Sequence, residues 1–115
     1  MKDIDSLINV GLSEQEALAY LTLLKLGGSI ASVVAKNMNV KRTTIYAILK
    51  SLANQGFVDV YFRKNKRFYY AAKPSKLSSA FEKKLESFNN VIPFLESIEK
   101  KQTQIFGLRF IETKQ

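Results

Sequence analysis

Residues 41–72 read KRTTIYAILKSLANQGFVDVYFRKNKRFYYAA, and two periodicities meet in this stretch at Gly56. Before it, Ile45, Ile48, Leu49 and Leu52 recur at i, i+3, i+4 and i+7, an apolar stripe that must face a core. At about 100° per residue, the opposite face presents Thr43, Ala47, Lys50 and Asn54, flanked by Tyr46 and Ser51, with no acid. The spacing predicts a helix from Lys41 or Arg42 to about Gln55, ended by Gly56 in the left-handed conformation. Beyond Gly56 the period changes. Residues 57–62 and 67–72 are β-branched and aromatic runs separated by Arg63-Lys64-Asn65-Lys66, which predicts a hairpin with a basic tip.

Upstream, Ser13 and Glu16 form a capping-box pattern that opens a helix over about residues 14–26, closed by Gly27-Gly28. Ser29 is expected to cap a second helix over about 30–37, whose small and β-branched residues allow close packing, with Asn37-Met38-Asn39 as the turn. Ile4, Leu7, Ile8 and Val10 suggest a short helical lid that stops at Gly11. Two short helices joined by a tight turn, the second polar and basic outside, make a helix-turn-helix, and the hairpin that follows is a wing. The expected fold is mainly α with a small β-hairpin: a winged helix-turn-helix followed by a long C-terminal helix.

That last helix begins near Pro74, with Ser75 as a possible cap. Leu77, Phe81, Leu85, Phe88, Ile92, Leu95 and Ile98 follow one another at steps of three or four, close to a heptad seam. Such a seam needs a partner, either the helix's own domain or, more economically, a second protomer, so these seven residues are the expected homodimer interface. Pro93 lacks the amide that would bond to the Asn89 carbonyl, which predicts a kink or break near Asn89-Asn90. The expected organisation is a DNA-binding domain over 1–73, a dimerisation helix over 74–102 and a tail over 103–115. Within the tail, residues 104–111 read as a strand.

Charge and composition narrow the function. Residues 36–76 hold ten basic side chains against the single acid Asp59, whereas the rest of the chain holds eight basic and nine acidic residues. A concentrated positive stripe beside a near-neutral remainder suits a polyanion, although a solvated charge run has the same composition. The chain has no cysteine and no histidine, which removes thiolate chemistry, Cys-type zinc sites and the commonest general base. The carboxylates show no pair suited to acid–base work, so an enzyme, a cofactor and a metal site are not expected. The acidic N-terminus and the absence of a long apolar run predict a cytoplasmic protein without a membrane partner.

The expected partner is double-stranded DNA. Lys41, Arg42, Thr43, Thr44, Tyr46, Ala47 and Lys50 form the groove-facing helix surface, and Arg63, Lys64, Asn65, Lys66 and Arg67 form the wing contact. Thr43, Thr44 and Tyr46 would position phosphates through hydroxyls, while Arg42 and Lys50 could reach a phosphate or a guanine edge. Simpler roles stay open: the threonines as caps, the Tyr46 ring as packing on the core edge. The alternative function is a winged-helix protein-interaction or assembly module. RNA stacking on Phe68-Tyr69-Tyr70 is a further possibility, limited because consecutive strand residues alternate between faces.

The segments Gly11-Leu12-Ser13-Glu14-Gln15-Glu16-Ala17, Tyr20 with Leu24, and Val40-Lys41-Arg42-Thr43-Thr44-Ile45-Tyr46, then Leu49, Leu52, Gly56 and Phe57-Val58, carry a further signal. Residues 11–76 resemble the N-terminal domain of the TrmB-like family of sugar-responsive regulators; the scaffold is shared with the multiple-antibiotic-resistance regulators and the arsenic-responsive repressors. The resemblance implies a dimeric, sequence-specific transcriptional regulator, expected to act as a repressor, with residues 41–50 as recognition helix. Full-length TrmB-like regulators continue into a second domain that in some members binds a sugar. Residues 104–111 resemble its first strand, so the chain is either a stand-alone regulator or part of a longer one, and its effector stays open.

Overall fold

The computed structural model describes residues 2–106, with side-chain burial for 4–101. The elements are α1 (Lys2–Asn9), α2 (Glu14–Leu26), α3 (Ala31–Met38), α4 (Arg42–Asn54), β1 (Val58–Arg63), β2 (Lys66–Ala71) and α5 (Pro74–Phe106). Mainly helical, with one antiparallel hairpin and a long last helix, this is the expected winged helix-turn-helix.

The capping box at Ser13 is complete. The Glu16 amide donates to Ser13 Oγ at 3.1 Å, and the Ser13 amide donates to Glu16 Oε1 at 2.9 Å. The other carboxylate oxygen of Glu16 accepts from the Ser51 hydroxyl, to which Gln55 Nε2 also donates. One side chain therefore starts α2 and ties it to α4. Below this contact Leu23, Val34, Ile45, Leu49 and Leu52 are fully buried, so the stripe read from the sequence is the core face of α4. Burying each contributes roughly 1.5–3 kcal/mol relative to exposure.

Ser29 departs from expectation. The N-cap of α3 is Ile30, with no side-chain cap, and Ser29 instead exchanges both backbone hydrogen bonds with Tyr69 at 2.9 and 2.8 Å. That bridge holds Ser29 extended, with its hydroxyl turned to the Ile30 carbonyl, and α3 starts one residue later. The hairpin is thereby stitched to the loop before α3. A second stitch is the Tyr20 hydroxyl, which donates to the Ala72 carbonyl at 2.7 Å while its ring meets Phe57 edge-on. Burial pushes this phenol above its usual pKa.

The tip of the wing is tighter than the four residues expected. Arg63 and Lys66 are the last paired residues, and only Lys64 and Asn65 turn, at φ of 48° and 64°. Positive φ at both central positions is the turn whose twist matches the flanking strands. Gly56 sits just beyond the Gln55 cap at φ 86°, the left-handed position expected of it.

Contacts divide the chain after Leu77. The first turn of α5 belongs to the winged unit, where Lys76 Nζ lies 4.0 Å from the Asp59 carboxylate. From Ser78 onward the second unit is the rest of α5. Its helix runs without interruption through Pro93, so the break expected near Asn89-Asn90 is absent. One missing amide among many intact backbone bonds is not enough to end a helix of 33 residues. The strand expected over 104–111 is also corrected where it can be judged: 104–106 are the end of α5, carried there by the helix-forming Glu, Lys and Gln residues from 99 onward. Residues 107–111 lie outside the described residues. No helix among the described residues is long and apolar enough to cross a membrane.

Candidate nucleic-acid interface

The outer face of α4 is built by exclusion. Once Ile45, Ile48, Leu49 and Leu52 turn inward, Arg42, Thr43, Tyr46, Ala47 and Lys50 must lie on exposed faces, and each is exposed. Lys41 is the exposed N-cap, without a side-chain cap bond. Thr44 is half-buried toward the core. Neither threonine caps the helix, so the simpler role open to Thr43 from sequence does not apply. Ser51, at the flank, is drawn instead into the Glu16 contact. The Tyr46 ring is 41% exposed, with the Arg42 guanidinium 5.9 Å from its centroid, so it lies on the surface.

The hairpin register sorts the wing residues between two faces. Val58, Val60, Phe62, Arg67, Tyr69 and Ala71 share the face that packs toward α4, while Asp59, Tyr61, Arg63, Lys66, Phe68 and Tyr70 share the other, Lys66 lying at the tip where it still borders the hollow beside α4. Burial fades along the first face from Val58 to Phe62, because the strand outruns the helix that covers it. Arg67 reaches over the Phe62 ring at 5.3 Å. Arg63 goes the opposite way, donating to the Tyr70 hydroxyl at 3.3 Å and lying 5.3 Å from the Phe68 ring. The four basic wing residues expected to act together are therefore not equivalent: Arg67 faces α4 and Arg63 does not.

Two hollows run between α4 and the wing. One, about 570 Å³, is bounded by Arg42, Tyr46, Phe62, Lys66 and Arg67 together with the start of α3 at Ile30–Ser32. The other, about 710 Å³, adds Lys50, Ala53 and Val60. Tyr46, Phe62, Arg67 and Tyr69 belong to both. The structure so brings Arg42, Tyr46, Lys50, Asn65, Lys66 and Arg67 around one cationic, aromatic-walled groove that no acid lines. Phe62 and the start of α3 were missed from sequence: strict alternation in β1 assigns Phe62 to the core, and only the length of the strand beyond α4 could have warned otherwise.

A family model for the sugar-specific transcriptional regulator TrmB matches residues 7–75. The chain belongs to the TrmB family. Two curated relatives bracket the match. Over 57 residues the chain is 51% identical to the HTH-type sugar sensing transcriptional regulator TrmBL1 of Pyrococcus furiosus, covering 50% of this chain. Over 99 residues it is 31% identical to the uncharacterized protein YrhO of Bacillus subtilis, covering 84% of this chain. It spans only 17% and 35% of those two proteins. Among solved structures, TrmBL2, described as an archaeal chromatin protein that shows a novel mode of DNA binding, superposes with a TM-score of 0.77 at 21% identity, over 99% of this chain and 43% of that one. The transcriptional regulator SlyA superposes with a TM-score of 0.57 at 20% identity, over 96% of this chain and 70% of that one. At such identities the likeness is one of fold, and the TrmB segment falls on the winged unit that carries the groove.

On α5 the expected seam is largely in the open. Leu85, Phe88, Leu95 and Ile98 are exposed, while Leu77, Phe81 and Ile92 are half-buried. Val91 and Phe94, absent from the expected seam, are exposed as well, Phe94 at 61%. Phe81, Phe88 and Leu95 are spaced by sevens, as are Leu77, Val91 and Ile98 with Lys84 between, so the apolar face is broader than a single stripe.

Proposed function

We propose that this chain is the DNA-binding part of a transcriptional regulator, acting as a homodimeric repressor on double-stranded DNA. The observation that carries the reading is the acid-free groove between α4 and the wing, where Arg42, Lys50, Lys66 and Arg67 gather around Tyr46 and Phe62. In the proposed complex α4 enters the major groove, with Arg42, Thr43, Tyr46, Ala47 and Lys50 toward the bases and phosphates. Lys64, Asn65, Lys66 and Arg67 hold the flanking backbone. Two protomers joined through α5 would place their α4 helices about 34 Å apart on one face of the duplex. TrmB membership and the regulator TrmBL1 support this assignment. The winged unit is proposed to end within the first turn of α5, at Leu77, and the rest of α5 to be the pairing helix. The protein is proposed to work in the cytoplasm, without enzymatic activity.

The test is fluorescence anisotropy with a random-sequence duplex of about 30 base pairs over a salt titration. With about 6–10 phosphates contacted per dimer, log K against log salt should fall with a slope of about −5 to −9. A variant with Arg63, Lys64, Lys66 and Arg67 all changed to Ala should bind more weakly and with a shallower slope. No binding even at low salt would defeat the reading and leave the protein-interaction module in its place.

A further inference from the structure

Phe62 is the most exposed large apolar side chain among the described residues, at 70%. Its place makes the exposure informative. It stands at the outer end of β1, on the face turned to α4, walls both hollows of the groove, and has the Arg67 guanidinium 5.3 Å from its ring. A phosphate contact needs a hydrogen-bond donor, which a phenyl ring lacks. A core role is excluded by exposure, and protection of a strand edge from aggregation would favour Lys at this position. What remains is an apolar ring held at the rim of a cationic groove, a combination suited to base stacks, whose faces are apolar and whose edges are lined by phosphate.

We propose that Phe62 is a wedge that the wing presses between two neighbouring base pairs at the flank of the bound site, partly unstacking that step. The proposal rests on the duplex-binding reading above and adds to it a second way of choosing sequence. Lys66 and Arg67 neutralise the phosphates beside the opened step, and the ring replaces part of the lost base-to-base contact. Opening a step is easiest at TA and CA/TG and hardest in a stiff A-tract. The wing therefore selects deformable flanks without reading a base edge, while α4 makes the direct contacts.

The experiment uses the full chain and two duplexes of equal length with the same centre, one flanked by alternating TA and the other by A-tracts. Single 2-aminopurine substitutions are placed in turn along the TA flank. Wild type should bind the TA-flanked duplex about fivefold or more tightly than the A-tract duplex. It should also raise 2-aminopurine fluorescence at one flank position. Phe62→Ala should lose both effects while keeping the salt slope of wild type, and Phe62→Leu should retain part of both, since leucine also serves as a wedge. Binding without flank preference, and with 2-aminopurine emission unchanged at every position in the wild-type complex, overturns the wedge whatever the variants do and leaves duplex binding standing. Preference for the single strand over either duplex would overturn it too, in favour of a stacking platform. Failure to bind any nucleic acid at low salt defeats the duplex reading itself.

Discussion

At the scale of single residues, the winged unit is held by a few side chains whose removal has calculable consequences. Gly28 lies at φ 111°, and a Cβ there would fall 2.3 Å from the Tyr70 ring. Gly28→Ala therefore meets both a left-handed backbone and a collision with a half-buried ring that carries the outer face of the wing. Urea denaturation should show a loss of about 2 kcal/mol or more. Glu16 offers a test by pH. The Ser51 hydroxyl, then the Ser13 backbone amide, hold its carboxyl below the usual carboxylate range. A carboxyl lowered on folding stabilises above its unfolded pKa of about 4.3, and the benefit disappears as pH falls through the lower folded value. The stability gap between wild type and Glu16→Gln should be full at pH 7 and shrink below about pH 4. A gap that stays constant into acid would show that the carboxylate charge contributes nothing there.

At the scale of elements, what could be read from sequence was what periodicity and local chemistry decide. The α4 stripe, the Ser13 capping box and Gly56 all stand where the residues placed them, because each depends on neighbours within one or two turns. Ser29 was misjudged because its backbone is claimed by Tyr69, a partner 40 residues away that no local pattern announces. Phe62 was missed for a related reason: alternation gives the face of a strand but not how far the covering helix extends. In α5 the break, one of the two outcomes expected at Pro93, is absent. Pro93 removes one amide, but the surrounding helix keeps the rest. Pro93→Ala should therefore raise the midpoint of thermal unfolding followed at 222 nm, by an amount corresponding to about 3 kcal/mol at most, since proline costs about that much in a helix interior. An unchanged midpoint would mean that the helix already bends there without loss.

At the scale of the whole molecule, the exposed face of α5 calls for a partner. Leu85, Phe88, Phe94 and Leu95 are all exposed, and clustered apolar side chains of this size on one helix mark an interaction surface. Sedimentation equilibrium is expected to return a dimer for wild type and a monomer for a Phe88→Glu, Leu95→Glu double variant. The same variant should lose about half the salt slope of DNA binding, because each protomer then neutralises phosphates alone. A double variant that remains dimeric would remove α5 from the interface and point to the winged unit, where Leu18, Leu24 and Leu26 of α2 are also exposed.

The two stitches at the base of the wing bear on how the chain comes to be folded. Tyr20 meets Ala72 across 52 positions, and Ser29 meets Tyr69 across 40. Closing such spans is entropically slow, and neither can form during synthesis until the second strand has left the ribosome. The helices α2, α3 and α4 are thus made first and wait, with Tyr20 and the Ser29 amide unpaired, for a hairpin that follows them from the ribosome. A nascent chain halted before residue 69 would carry α4 but lack the strand that fixes the wing beside it. The order of translation therefore delays the groove between α4 and the wing until the winged unit is essentially complete.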